Sequence, residues 1–167
     1  HTGRLPLLVR HGYRGEVHAT DATIDMADLI LRDSAKIQES DTKRENRKRK
    51  ESGKEPVKPL YTMDDADEVL SRMRVASYHA SVPVATGISV RFVDSGHMLG
   101  STSIEMTVEE GDKRRVVIFS GDLGPAGMAW LRDAETFQRA DLVFLESTYG
   151  DRNHRPLSLT LDEGREI

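Results

Sequence analysis

Apolar positions fall into two regimes along the chain. Up to about residue 74 they recur at helical spacing, and beyond it they alternate in short runs. Leu5, Leu7, Leu8 and Val9 predict a short helix over residues 1–10, with Gly12 as its stop. Gly15 then opens a short strand over 16–19. Ile24, Ala27, Ile30, Leu31, Ala35 and Ile37 predict a longer helix from Thr23 to about Ser40. Thr62-x-x-Asp65 has the form of a capping box, with Asp in place of the usual Glu or Gln, and starts a helix predicted to reach about Arg74. Residues 82–84, 88–93, 102–108, 115–119 and 142–145 are β-rich runs punctuated by glycine. Gly111-Asp112, between two of them, predicts a hairpin turn joining antiparallel strands. Helices followed by a string of strands imply an α/β protein of layered α+β type, a sheet with helices packed on it. No internal repeat is present.

The chain has 167 residues, enough for one domain or a piece of a larger one. It contains no cysteine, which excludes a disulfide framework and any thiolate metal site. No run approaches the ~18 apolar residues of a membrane-spanning helix, and no signal peptide is recognisable. The chain opens at His1, inside an apparent element and without an initiator Met, and reads as a fragment. Its formal net charge of −4 is unevenly placed. Residues 43–58 hold eight basic and three acidic side chains, a local +5 that leaves −9 for the rest. With Gly53, Pro56 and Pro59, and Val57 as its one strongly apolar residue, this segment reads as part of a basic, flexible loop over 41–60. Electrostatic contact with a phosphate backbone is its functional alternative.

Three short polar motifs sit at predicted strand ends or turns. They are His1-Thr-Gly-Arg-Leu-Pro6, Asp94-Ser-Gly-His97-Met-Leu-Gly100 and Phe119-Ser-Gly-Asp122-Leu-Gly124. Imidazole and carboxylate at loop tips are donors that suit a hard-to-borderline divalent ion. The flanking glycines permit close approach that a Cβ would block. A lone His in a turn is more often a surface residue, and a lone Gly-Asp is usually just a turn. The next motif, Leu145-Glu-Ser-Thr-Tyr-Gly150-Asp-Arg-Asn-His154, changes that weighing.

With it, the chain resembles the metallo-β-lactamase superfamily in its β-CASP, nucleic-acid-processing branch. His1-Thr-Gly-Arg-Leu-Pro6 resembles the tail of that branch's H-x-H-x-D-H signature, with His1 as the last His. Ser95-Gly-His97-Met-Leu-Gly-Ser101 resembles the third metal motif and Ser120-Gly-Asp122-Leu-Gly124 the fourth. Glu146-Ser-Thr-Tyr-Gly150 resembles the acidic motif that opens the β-CASP region, in the form typical of RNA-processing members. The four motifs occur in the family's order.

The resemblance implies part of an αββα sandwich: a partial metallo-β-lactamase domain over 1–145 and the start of a β-CASP region over 146–167. It implies a cytoplasmic zinc-dependent ribonuclease acting on RNA, single-stranded by preference, with no membrane partner and with homo-oligomerisation open. In the full site Asp122 bridges two zinc ions, with His97 on one and His1 on the other. A water held between the ions would attack phosphorus. Glu146 would orient a later His that protonates the leaving oxygen. Ser147, Thr148, Tyr149 and His154 are candidate substrate contacts. The first His-x-His-x-Asp ligands are expected upstream of His1 and the later His motifs beyond Ile167. The 167-residue stretch alone is therefore expected to be inactive. Alternatives are a hydrolase of another ester on the same fold, or an inactive scaffold paralogue. His11, His18 and His79 are read as structural, and Trp130 with Tyr149 as too few aromatics for a stacking platform.

Overall fold

The computed structural model describes residues 2–128 and 130–153, with Leu159 and Glu163 beyond them. The chain divides into two compact units between Ser77 and Tyr78.

In the first unit a 3-10 turn, Thr2–Arg4, leads into α1, Leu5–Arg10, with Pro6 in the first turn where its missing N–H costs nothing. Strand β1, Val17–Ala19, follows. Helix α2, Asp21–Glu51, is capped by Thr20, whose hydroxyl accepts from Thr23 N at 3.3 Å. This helix corrects the expected loop over 41–60, because it continues well past Ser40. No Gly or Pro interrupts residues 21–51, and Arg, Lys and Glu are strong helix formers. Glu45 pairs with Arg49 one turn on, at 3.7 Å. Lys48, Arg49 and Lys50 in the last turn suit the negative end of the dipole. Gly53, at φ +66, follows the helix end.

Residues beyond it are irregular, as expected, but they are pinned to the helix. The Asn46 amide donates to Val57 O at 2.9 Å and accepts from Val57 N at 2.8 Å. Arg49 Nε donates to Glu55 O at 2.6 Å. Tyr61 is buried and its hydroxyl donates to Ser34 Oγ at 2.8 Å.

The Thr62–Asp65 capping box starts α3, Met63–Ser71. That helix is shorter than predicted. Strand β2, Met73–Val75, takes the residues after it and pairs in parallel with β1. Val9, Ala19, Ala27, Leu31, Ala35, Tyr61, Ala66, Val69 and Met73 form one core that joins the three helices to the β1–β2 pair.

The second unit is a five-stranded sheet in the order β3-β4-β5-β6-β7. Its strands are β3 Ser81–Ala85, β4 Ile88–Asp94, β5 Thr102–Glu110, β6 Lys113–Phe119 and β7 Leu142–Phe144. All pairs are antiparallel except β6–β7, so the sheet is mixed. The β5–β6 hairpin turns at Gly111, φ +60, as predicted. Register decides what the sheet presents. Asp94 lies opposite Thr102, Ile104 opposite Phe119, and Phe119 opposite Phe144. The β4–β5 connection and the segments after β6 and β7 therefore leave from the same end of the sheet. Those three segments carry the Gly-His, Gly-Asp and Glu-Ser-Thr motifs. Among the described residues, no helix is long and apolar enough to cross a membrane.

Candidate functional site

The turn carrying His97 is organised by two serines, buried Ser95 and half-buried Ser101. Ser101 Oγ accepts from His97 N at 3.2 Å and from Met98 N at 3.1 Å, and the hydroxyl of Ser95 donates to it at 2.9 Å. Asp94 Oδ1 accepts from Gly96 N at 2.9 Å. Gly96 sits at φ +64, and a Cβ there would come within 2.7 Å of Arg132 O. The backbone around His97 is thus fixed, while the imidazole itself is exposed.

The turn carrying Asp122 is built the same way. Buried Ser103 donates to Ser120 O at 2.6 Å, and Ser120 N donates to Phe144 O at 2.9 Å. Gly121 sits at φ +59 against Thr102 O. Asp122 is half-buried. Gly124 N donates to Ser95 O at 2.9 Å. A Cβ at Gly124 would overlap the Gly96 carbonyl and lie 2.7 Å from His97 N. The two turns therefore touch backbone to backbone, an approach only glycine permits at that position.

Glu146 closes the third side. Its N–H donates to Ser120 Oγ at 3.0 Å, its Oε1 accepts from Leu123 N at 2.7 Å, and its Oε2 accepts from Thr148 N at 3.4 Å. Hydrogen bonding from Thr148, then from the Leu123 N–H, with a smaller contribution from the charge of His97, holds this carboxyl below the usual range. Glu146 thus grips the residue directly after Asp122.

The structure brings His97, Asp122 and Glu146 onto three interlocked segments. Ser147, Thr148 and Tyr149 follow Glu146 and are exposed. The Arg152 guanidinium lies 5.3 Å from the centroid of the Tyr149 ring. His1 and His154 lie outside the described residues. Among the described residues, no group of three or more His, Asp or Glu side chains is arranged to hold an ion. Imidazole and carboxylate on abutting turns nevertheless fit part of a divalent-ion site, and nuclease members of the resembled family are metal-dependent. His11 Nδ1 lies 2.7 Å from Leu7 O at the end of α1, His18 faces Glu16 at 3.8 Å, and His79 faces Glu135 at 3.4 Å.

Ser95, Ser103 and Ser120, each under 5% exposed, position the site; the sequence motifs include Ser95 and Ser120 without giving them a role, and Ser103 lies outside them. A signal was present: the pair Ser-Gly precedes both His97 and Asp122.

No protein-family profile matches the chain. It is 35% identical over all its 167 residues to ribonuclease TTHA0252 of Thermus thermophilus, covering 33% of that protein. It is 29% identical over 152 residues to transcription termination factor FttA of Cenarchaeum symbiosum, 90% of this chain and 21% of that one. An RNase J-like protein of Methanocaldococcus jannaschii is 29% identical over 91 residues, 54% of this chain and 21% of that one. The chain thus spans a third or less of the length of these relatives. Similarity along the whole chain to the Thermus ribonuclease, motifs in the order of the resembled family and a mixed sheet that gathers three of them at one end agree: over the part of their length that it spans, the chain matches β-CASP nucleases of the metallo-β-lactamase superfamily.

Proposed function

We propose that the full-length protein is a cytoplasmic, zinc-dependent ribonuclease that hydrolyses phosphodiester bonds of single-stranded RNA. The observation that carries this reading is the glycine-mediated contact of the His97 and Asp122 turns, with Glu146 gripping the second turn through Leu123 N. His97, Asp122 and His1 are the residues of this chain that would hold zinc. When bound, the ions supply an activated water and stabilise charge on phosphoryl oxygens.

The chain's own residues hold and orient. The serine-capped turn fixes the His97 backbone, so the imidazole is presented at small entropic cost. Glu146, kept ionised by its N–H donors, is ready to accept a hydrogen bond from a histidine outside this stretch and fix its tautomer. The exposed Ser147, Thr148 and Tyr149 are disposed to donate to phosphate oxygens; His154 is a further candidate by its place in the sequence. Residues 146–167 open the β-CASP region in this reading, and residues 1–145 belong to the metallo-β-lactamase domain. The ribonuclease named among the relatives supports RNA as the substrate.

The test is Asp122→Asn in the full-length protein. An amide replaces a two-oxygen anion, so zinc content by mass spectrometry should fall. RNA cleavage should drop by at least about 10²-fold with the thermal melt unchanged. Near-wild-type turnover in a zinc-replete assay would remove Asp122 from the site.

A further inference from the structure

The helical course of residues 41–51 changes what the basic segment can do. At 100° per residue, Lys36, Lys43, Arg47 and Lys50 fall within about 60° of one another around α2. At 1.5 Å per residue they span about 21 Å of its axis. All four are exposed, and none has an ion pair among the described residues. Ser40 is the remaining residue of this stripe. The core-facing positions Ala27, Leu31 and Ala35 lie on another side. Of the other cations of the helix, Lys48 is exposed about 120° around from Lys36, and the arginines are engaged. Arg32 pairs with Asp28 and Asp67, Arg44 with Asp41 at 3.8 Å, and Arg49 with Glu45 and Glu55 O.

We propose that Lys36, Lys43, Arg47 and Lys50 form a stripe on α2 that tracks the phosphate backbone of single-stranded RNA. The inference rests on the ribonuclease reading for its ligand. Four cations in a row, none of them neutralised, complement a polyanion of regular charge spacing. The stripe contains no large apolar side chain, so it lacks the anchor that a protein interface places at its centre. Its binding is sequence-independent and salt-dependent, because it reads charge alone.

The experiment measures affinity of the full-length protein for a fluorescein-labelled oligouridine by anisotropy across a salt series. The triple variant Lys43→Gln, Arg47→Gln, Lys50→Gln should lower the slope of log K against log salt by up to about 2, at ~0.7 for each phosphate no longer neutralised. Cleavage at saturating RNA should stay unchanged. The control triple Lys48→Gln, Lys54→Gln, Lys58→Gln removes the same charge off the stripe and should lower the slope by less than half as much. Lys43→Arg with Lys50→Arg should retain it. Equal reductions from both Gln triples would mean diffuse attraction and overturn the stripe. So would an unchanged slope in the stripe triple, or weakened binding confined to a polyglutamate peptide, which would assign the face to an acidic protein. A wild-type protein that neither binds nor cleaves RNA fails the ribonuclease reading itself. Wild-type cleavage with an unaltered slope fails the stripe alone.

Discussion

Gly124→Ala in the full-length protein tests the interlock of the His97 and Asp122 turns most directly. The added Cβ would overlap the Gly96 carbonyl and stand 2.7 Å from His97 N. Ordinary carbon contacts begin near 3.5 Å, so the His97 side alone requires a gap of about 0.8 Å. Overlap with the carbonyl raises the separation beyond about 1 Å. Neither neighbour is the end of a flexible side chain, so no rotamer change relieves the clash. Overpacking of this kind costs about 1–3 kcal/mol, and a clash between two backbones belongs at the upper end. The hydrogen bond from Gly124 N to Ser95 O, 2.9 Å, breaks with it.

If both turns carry catalytic groups, as proposed, a displacement of about 1 Å between them costs about 10²-fold in turnover, or about 2.7 kcal/mol on the barrier. Loss of stability and loss of geometry are separated by Gly111→Ala. That glycine is also left-handed, φ +60, but has nothing within 4 Å of its would-be Cβ. Gly111→Ala should therefore cost about 1–2 kcal/mol in a urea titration and leave kcat unchanged. Gly124→Ala should lose both stability and kcat. Turnover of Gly124→Ala within about threefold of wild type would show that the interlock does not set the relation of the two turns.

Two further outcomes follow from hydrogen bonds in the two units. Thr62→Ala removes the Oγ1 that accepts from Asp65 N and should cost about 1 kcal/mol without changing cleavage; an unchanged stability would mean Asp65 alone caps α3. The Glu146 carboxyl is held below its ordinary range, so its contribution is present above that range and is lost as pH falls through the lowered value. Exchange protection of the Leu123 amide, followed by hydrogen exchange, should fall on acidification in the wild type and be low at every pH in Glu146→Ala, which removes the acceptor; a pH-independent wild-type amide would remove the grip.

Much of the fold was legible because its signals are local. The Thr62–Asp65 box, the left-handed Gly111 turn and the alternating runs of β4, β5 and β6 each depend on neighbours in sequence. Two features were not legible, for different reasons. Strand β2 is three residues long, and its identity comes from parallel pairing with β1, more than fifty residues earlier. The second half of α2 has no apolar stripe, so hydrophobic periodicity is silent there. Propensity without Gly or Pro, an i,i+4 pair and stitching by Asn46 to Val57 keep it helical instead.

The same division between local and long-range signals governs function. Ser-Gly before His97 and before Asp122 marks each turn by itself, because a hydroxyl and a left-handed glycine are requirements of one loop. That the turns meet is decided by Gly124 against Gly96, an approach no spacing rule contains. Charge behaves alike. Sequence counting gives the 43–58 segment a net +5, but a count cannot distinguish Arg49, tied to Glu45 and Glu55 O, from Arg47, which is exposed. The phase of the helix shows which unpaired cations line up on one face. It also pairs Lys36, outside the basic run, with Lys43, Arg47 and Lys50 inside it. Neutralising by sequence proximity, as with Lys48, Arg49 and Lys50 together, would mix a stripe residue with a structural arginine and confound charge with stability. Substitutions chosen by helical phase keep the two effects apart.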